Sequence, residues 1–155
     1  MIEIVRKVVI CAPRQACFDL SRDIDDHVES MVDTGERIVG GKTSGLLDIG
    51  DETTFEARHF GVRFRLTSRI IESEPPSRFV DQMQSGPFKS LWHEHRFDKV
   101  EGGTQITDTM RVALPYGPLG WIGERLAVSR ALGRVLEKRH AHMKAKAEGE
   151  VSREG

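Results

Sequence analysis

The sequence predicts an α+β fold in which a curved antiparallel sheet of seven strands closes around one long C-terminal helix, in the order β-α-α-β6-α. Three observations predict it. Between residues 36 and 114, apolar residues alternate with charged ones in segments broken by Gly, Asp and Pro, which is the period of strands. The links between these segments are far shorter than the dozen or more residues of a parallel crossover, so the strands must run antiparallel. Beyond the turn-rich stretch Leu114-Pro115-Tyr116-Gly117-Pro118 the period becomes helical and stays so to about Lys146. At 1.5 Å per residue that helix is about 40 Å long, enough to cross strands about 33 Å long.

The elements follow in order. Residues 2–10 are rich in Ile and Val and run into Ala12-Pro13, which predicts a strand followed by a helix over 13–20 with proline in its first turn. A second short helix is expected over 24–31, with Asp23 as N-cap and Ile24, Val28 and Met31 on one face. Six strands are then expected at 36–43, 51–60, 62–71, 77–84, 90–100 and 104–114. In the last helix Ile122, Leu126, Leu132, Leu136 and Met143 mark an apolar stripe widened by Ala131 and Val135. Gly133 inside it costs about 1 kcal/mol relative to alanine and implies a bend or a close approach. Residues 1–147 are expected to form one domain and residues 148–155 a flexible polar tail.

Strand phase assigns the faces, because alternate residues point to opposite sides. Phe64 and Leu66 face inward, with Arg63, Arg65 and Arg69 in water. Phe55, Ala57 and His59 share the inner face, as do Phe79, Asp81 and Met83 on the next strand. Leu91 and Phe97 carry His93 and His95 inward, and Ile106, Met110 and Val112 carry Asp108. Inward carboxylates must be paired, hydrogen-bonded or neutral, and the neighbouring histidines are the simplest partners.

A composition of 38% hydrophobic and 30% charged residues is that of an ordinary globular domain. The net charge of -1 gives no field to attract nucleic acid or an anionic membrane, so neither is an expected partner. The opening MIEIVRKVVI lacks the apolar stretch of a signal peptide, and no run reaches the roughly 18 residues of a membrane span. A cytoplasmic location follows as the expectation. Cys11 and Cys17 read as two reduced, buried side chains. Arg63, Arg65 and Arg69, and Arg130, Arg134 and Lys138, read as solvated rows, with Glu56, Glu72 and Glu137 as nearby opposite charges of small effect. Gly40-Gly41-Lys42 and Gly102-Gly103-Thr104 lack the context of a phosphate loop, and there is no nucleophile elbow. No cofactor is expected.

The segments ESMVDTGERIVGGKTSG, FEARHFG, RFVDQMQSGPFKSLWHEHRF and GGTQITDTMRVALPYGPLG, which span most of residues 29–120, resemble the bacterial ligand-binding SRPBCC proteins. That superfamily also takes in START domains, Bet v 1 and polyketide cyclases. The resemblance implies the helix-grip fold and a hydrophobic cavity between sheet and helix. A small apolar or aromatic ligand, held for transport or sensing, is the implied partner. Phe55, Ala57, His59, Phe64, Leu66, Asp81, Met83, His93, His95, Asp108, Met110, Leu132 and Leu136 are the expected lining. Polyketide cyclase or dehydratase chemistry is the rival, with His93 or His95 moving a proton on a bound substrate and Asp108 fixing its tautomer. A regulatory protein of the cell-division type is a third reading without a sequence signal, and self-association is left open.

His93-Glu94-His95 also places two imidazoles on one face, about 7 Å apart at Cα. A metal would need a third ligand, for which His59, Asp81 and Asp108 all compete. With that ligand unassigned, the expectation is no stoichiometric metal.

Overall fold

The computed structural model describes residues 1–59, 61–115 and 122–154. The elements are β1 (Ile2–Ile10), α1 (Arg14–Ser21), α2 (Ile24–Ser30), β2 (Arg37–Gly41), β3 (Glu52–His59), β4 (Val62–Glu74), β5 (Arg78–Ser85), β6 (Ser90–Val100), β7 (Gly103–Ala113) and α3 (Ile122–Glu154), with a 3-10 turn at Val32–Thr34. All seven strands form one antiparallel sheet in the order β1-β7-β6-β5-β4-β3-β2. This is the expected β-α-α-β6-α order. Consecutive strands are neighbours from β2 to β7, and β1 returns to close on β7, which lets α3 lie over the concave face.

Local chemistry accounts for the starts of the helices. Pro13 occupies the N-cap of α1 with φ at -60°, the value its ring imposes. The Asp23 carboxylate accepts from the backbone N–H groups of Asp25 and Asp26, satisfying two donors that α2 cannot.

Register decides what the inner face brings together. Asp81 of β5 stands opposite His93 of β6, and Asp108 of β7 stands opposite His95. Directly opposed residues have Cβ atoms about 5 Å apart, so both pairs are held within side-chain reach by backbone alone. On either side of this row lies an apolar cluster. In one, Phe18 of α1 meets Phe79 and Phe97 edge-on, with centroids 5.5 and 5.4 Å away, among Ile10, Ile106 and Met143. The other joins Ile4, Leu91, Met110 and Val112 to Leu136 of α3. Fully burying each such side chain contributes about 1.5–3 kcal/mol.

Several expectations change in detail. β4 continues to Glu74, where it still pairs with Arg78 of β5, and register shifts interrupt that ladder near Ser68 and Ile70. β2 covers Arg37–Gly41 rather than 36–43, with a bulge between Ile38 and Gly40 in its ladder with β3. α3 runs to Glu154 rather than to Lys146, so the expected 148–155 tail is helical up to Glu154. Ala147 is buried there, and Glu148 accepts from the Cys11 N–H and from Lys144. Leu126 is 50% exposed instead of joining the stripe. It lies six residues before Leu132, about 120° away around the helix, while Val128, Leu132, Val135 and Leu136 keep the 3-4 spacing. Cys17 is buried, but Cys11 is exposed, being between the inward Ile10 and Ala12. Gly133 does mark a close approach, since a Cβ there would collide with Arg6 Nη2 of β1. Of the expected hinge at 114–118, Tyr116, Gly117 and Pro118 lie outside the described residues.

The outer face follows its assignment with one exception. Arg63, Arg65 and Arg69 are exposed, but Glu56, expected to be a minor partner, has a side chain only 7% exposed. Arg37 Nη2 and Arg65 Nε donate to its two oxygens at 2.7 and 2.8 Å. These bonds, that from Arg65 first, hold its pKa at about 2.

Candidate functional site

Between the sheet and α3 lies a cavity of about 600 Å³, within the range of small-molecule sites. Its walls are mostly apolar. β3 and β4 supply Phe55, Ala57, Phe64 and Leu66, β7 supplies Met110, and α3 supplies Leu132 and Leu136. Phe64 and Leu66 are half-buried, and Leu66 also packs against the second apolar cluster.

A polar floor interrupts this lining. His93 Nε2 donates to Asp108 Oδ1 at 2.9 Å, and His95 Nδ1 lies 2.6 Å from the same oxygen. The other nitrogen of each ring points to Asp81 Oδ2, at 2.8 Å for His95 Nε2 and 3.6 Å for His93 Nδ1. Ser68 Oγ donates to Asp81 Oδ1 at 2.8 Å, and His140 Nε2 of α3 donates to Asp108 Oδ2. Phe79 stacks on the His95 ring with centroids 4.1 Å apart. Burial opposes charge on His95, but the field and hydrogen bonds of Asp108 and Asp81 outweigh it and push its pKa up to about 9. Burial would likewise raise Asp108 and Asp81, yet the histidines hold Asp81 below the usual carboxylate range and Asp108 well below it. Two carboxylates and a protonated imidazole thus share one buried cluster.

A second polar pair also borders the cavity, His27 of α2 and Glu36. His27 Nε2 is 2.6 Å from Glu36 Oε1 but off the line of a hydrogen bond, and that oxygen has no hydrogen-bond partner among the described residues. Burial first, and then the charge of Arg139, lower the His27 pKa. The Glu36 side chain is only 8% exposed and borders the cavity beside His27.

A family model described as "Polyketide cyclase / dehydrase and lipid transport" matches residues 1–148. The chain belongs to this family. No curated protein compared with it matches. Among solved structures, the di-domain ARO/CYC StfQ from the steffimycin biosynthetic pathway is similar at a TM-score of 0.78 and 12% identity, over 97% of this chain and 51% of that one. A protein from Thermus thermophilus reaches 0.69 at 15% identity, covering 94% and 99%. The major latex-like protein 151 of Panax ginseng reaches 0.66 at 13%, covering 94% and 96%. These likenesses establish a shared fold, and the SRPBCC resemblance of the sequence is the one they bear out.

In this member of the polyketide cyclase / dehydrase and lipid transport family, the structure brings Phe55, Ala57, Phe64, Leu66, Asp81, His93, His95, Asp108, Met110, Leu132 and Leu136 to one cavity. Met83 does not line it. Its side chain packs toward the second apolar cluster, where a Cβ on Gly86 would meet its sulfur at 2.6 Å. His59 ends β3, and its side chain lies outside the described residues.

Sequence reasoning missed His27, Glu36, Arg139 and His140. Arg139 Nη1 donates to Ser30 Oγ at 2.9 Å and to Asp26 Oδ2 at 3.3 Å, and Asp26 is fully buried. His142 Nε2 and Lys146 Nζ meet the other Asp26 oxygen at 2.9 and 3.1 Å. One signal was available. Arg139 falls three residues after Leu136 and four before Met143, on the apolar stripe, where an unpaired charge would be costly. No helix among the described residues is long and apolar enough to cross a membrane.

Proposed function

We propose that this chain binds a small apolar or aromatic molecule in the cavity between sheet and α3, as a carrier or sensor. The observation that carries the reading is the cavity itself, about 600 Å³ of mainly apolar wall with a few converging polar groups. Asp81, His95 and Glu36 would orient the ligand through its polar atoms while the apolar walls supply most of the affinity. The family description and the titles of similar structures, which include a steffimycin-pathway ARO/CYC, support ligands of this class. Native mass spectrometry of the purified protein, followed by displacement of an apolar fluorescent probe, tests it. A wild-type protein that carries no ligand and binds no probe refutes it.

A cyclase or dehydratase reading is favoured by one observation, the convergence of His93, His95 and His140 on the buried Asp108. An acid–base group of this kind contributes about 10²–10⁴-fold in rate. Turnover that vanishes in His93→Ala or His95→Ala with affinity unchanged would establish it. Under the carrier reading, His95→Ala instead weakens binding by about 1–3 kcal/mol and there is no turnover to lose.

A further inference from the structure

We propose that Asp81, His93 and His95 form a divalent transition-metal site on the floor of the cavity. The HxH pair left the third ligand unassigned among His59, Asp81 and Asp108, and the distances between ligand atoms single out Asp81. Asp81 stands opposite His93 across the β5–β6 ladder, and one ligand atom from each of the three residues falls within 4.8 Å of the other two.

The spacing suits a single ion. Ligand atoms bound at about 2.1 Å to a tetrahedral ion stand about 3.4 Å apart. Asp81 Oδ2 lies 2.8 Å from His95 Nε2 and 3.6 Å from His93 Nδ1, on either side of that value.

The surroundings are those of a supported site. A metal-bound imidazole normally donates its other ring N–H to a carboxylate or carbonyl, which sets its tautomer and orientation. Here His93 Nε2 and His95 Nδ1 both face Asp108 Oδ1, at 2.9 and 2.6 Å, leaving His93 Nδ1 and His95 Nε2 for the ion. Asp108 Oδ2 is in turn held by His140, and Asp81 Oδ1 by Ser68. Every atom not aimed at the ion therefore already has a partner. The charges also balance, since Asp81 and Asp108 together match a dication once both rings are neutral. On loading, the ion takes the place of the proton between His95 Nε2 and Asp81, and that proton leaves to solvent. Three protein ligands leave a fourth position open, the pattern of metal sites that take up an exogenous group, and Asp81, His93 and His95 all border the cavity.

The site is tested with the ion alone, so the outcome is independent of the ligand-binding reading above. Chelator-stripped protein is titrated with Zn2+ by calorimetry, and with Co2+ by visible absorption. The expected result is one ion per chain at micromolar or tighter Kd, with the intense colour of four- or five-coordinate cobalt and a Zn2+-dependent rise in Tm. Asp81→Asn keeps the side-chain shape and weakens binding at least 10-fold. Asp108→Asn weakens it about 10- to 100-fold through the imidazoles. His142→Ala leaves it unchanged, which separates this site from the Asp26, Glu29 and His142 grouping on α2 and α3. Absence of saturable binding by wild type overturns the proposal, as does wild-type affinity in Asp81→Asn or loss of binding in His142→Ala. If a variant folds poorly, the wild-type cobalt protein decides by NMR. Two exchangeable, strongly shifted imidazole N–H signals are expected, and a spectrum with none overturns the site.

Discussion

Glu56 and Asp26 show two ways of keeping a carboxylate out of water, and each makes a separate prediction. Glu56 is held by arginines on the outer face with its pKa depressed to about 2 from an ordinary 4.5. Its ionised form therefore stabilises the fold fully above pH 4.5, and that contribution is lost as pH falls through about 2. Urea midpoints measured between about pH 5 and pH 2 should decline more steeply for the wild type than for Glu56→Gln. Asp26 has no exposed surface and leans on Arg139, whose own side chain is 9% exposed. Removing one partner of a buried pair strands the other charge, at a cost of about 3–5 kcal/mol. Arg139→Met should fall at the lower end of that range, because His142 and Lys146 still reach Asp26. Chemical denaturation measures it, and Arg139→Met combined with Asp26→Leu should recover part of the loss.

At the scale of elements, β2 depends on one backbone conformation. Gly41 has φ of +71°, and a Cβ there would collide with the Glu52 carbonyl oxygen across the ladder. A left-handed conformation costs an L-residue about 1–2 kcal/mol, and the clash adds to it, so Gly41→Ala should lower stability by at least that much in thermal denaturation. Gly41 appeared in the sequence only as part of a glycine pair that does not cradle phosphate, because nothing local reveals which carbonyl faces it. The same limit separates what was legible from what was not. Alternation is a local property, and it placed Phe64 and Leu66 inward and Arg63 and Arg65 outward without knowledge of any partner strand. Asp81, His93, His95 and Asp108 were legible as inward for the same reason. That the carboxylates would pair with the histidines followed from the shared face, but which Asp meets which His did not, since register depends on contacts between segments far apart in sequence. His140 was missed because it joins the site through the rotation of α3 against the sheet, whereas the spacing of Arg139 from Leu136 and of Leu126 from Leu132 was already in the sequence.

For the whole molecule, the test is whether the space under α3 is a binding volume or a packing fault. Ala57 sits on its wall, so Ala57→Trp should fill the cavity and abolish binding of an apolar fluorescent probe while the circular dichroism spectrum stays that of the wild type. In a packed core the same change would cost about 1–3 kcal/mol by overpacking. A destabilised variant beside a wild type that binds no probe would remove the cavity from any account of function.

The bonds that fasten α3 are unevenly spread along it. From Arg139 to Glu148 its side chains reach Asp26, Ser30, Asp108, Glu29, the Val9 carbonyl and the Cys11 N–H. Toward its start, Arg125 reaches the Met1 carbonyl, while Leu126 stands in solvent. Local opening follows the weakest attachments, so backbone amides from about residue 124 to 132 should exchange with deuterium well before those from 139 to 147. An occupant would then enter and leave by the early turns of α3, near Phe88 and Leu114, and its residence time would be governed by fraying at that end while the far end stays closed.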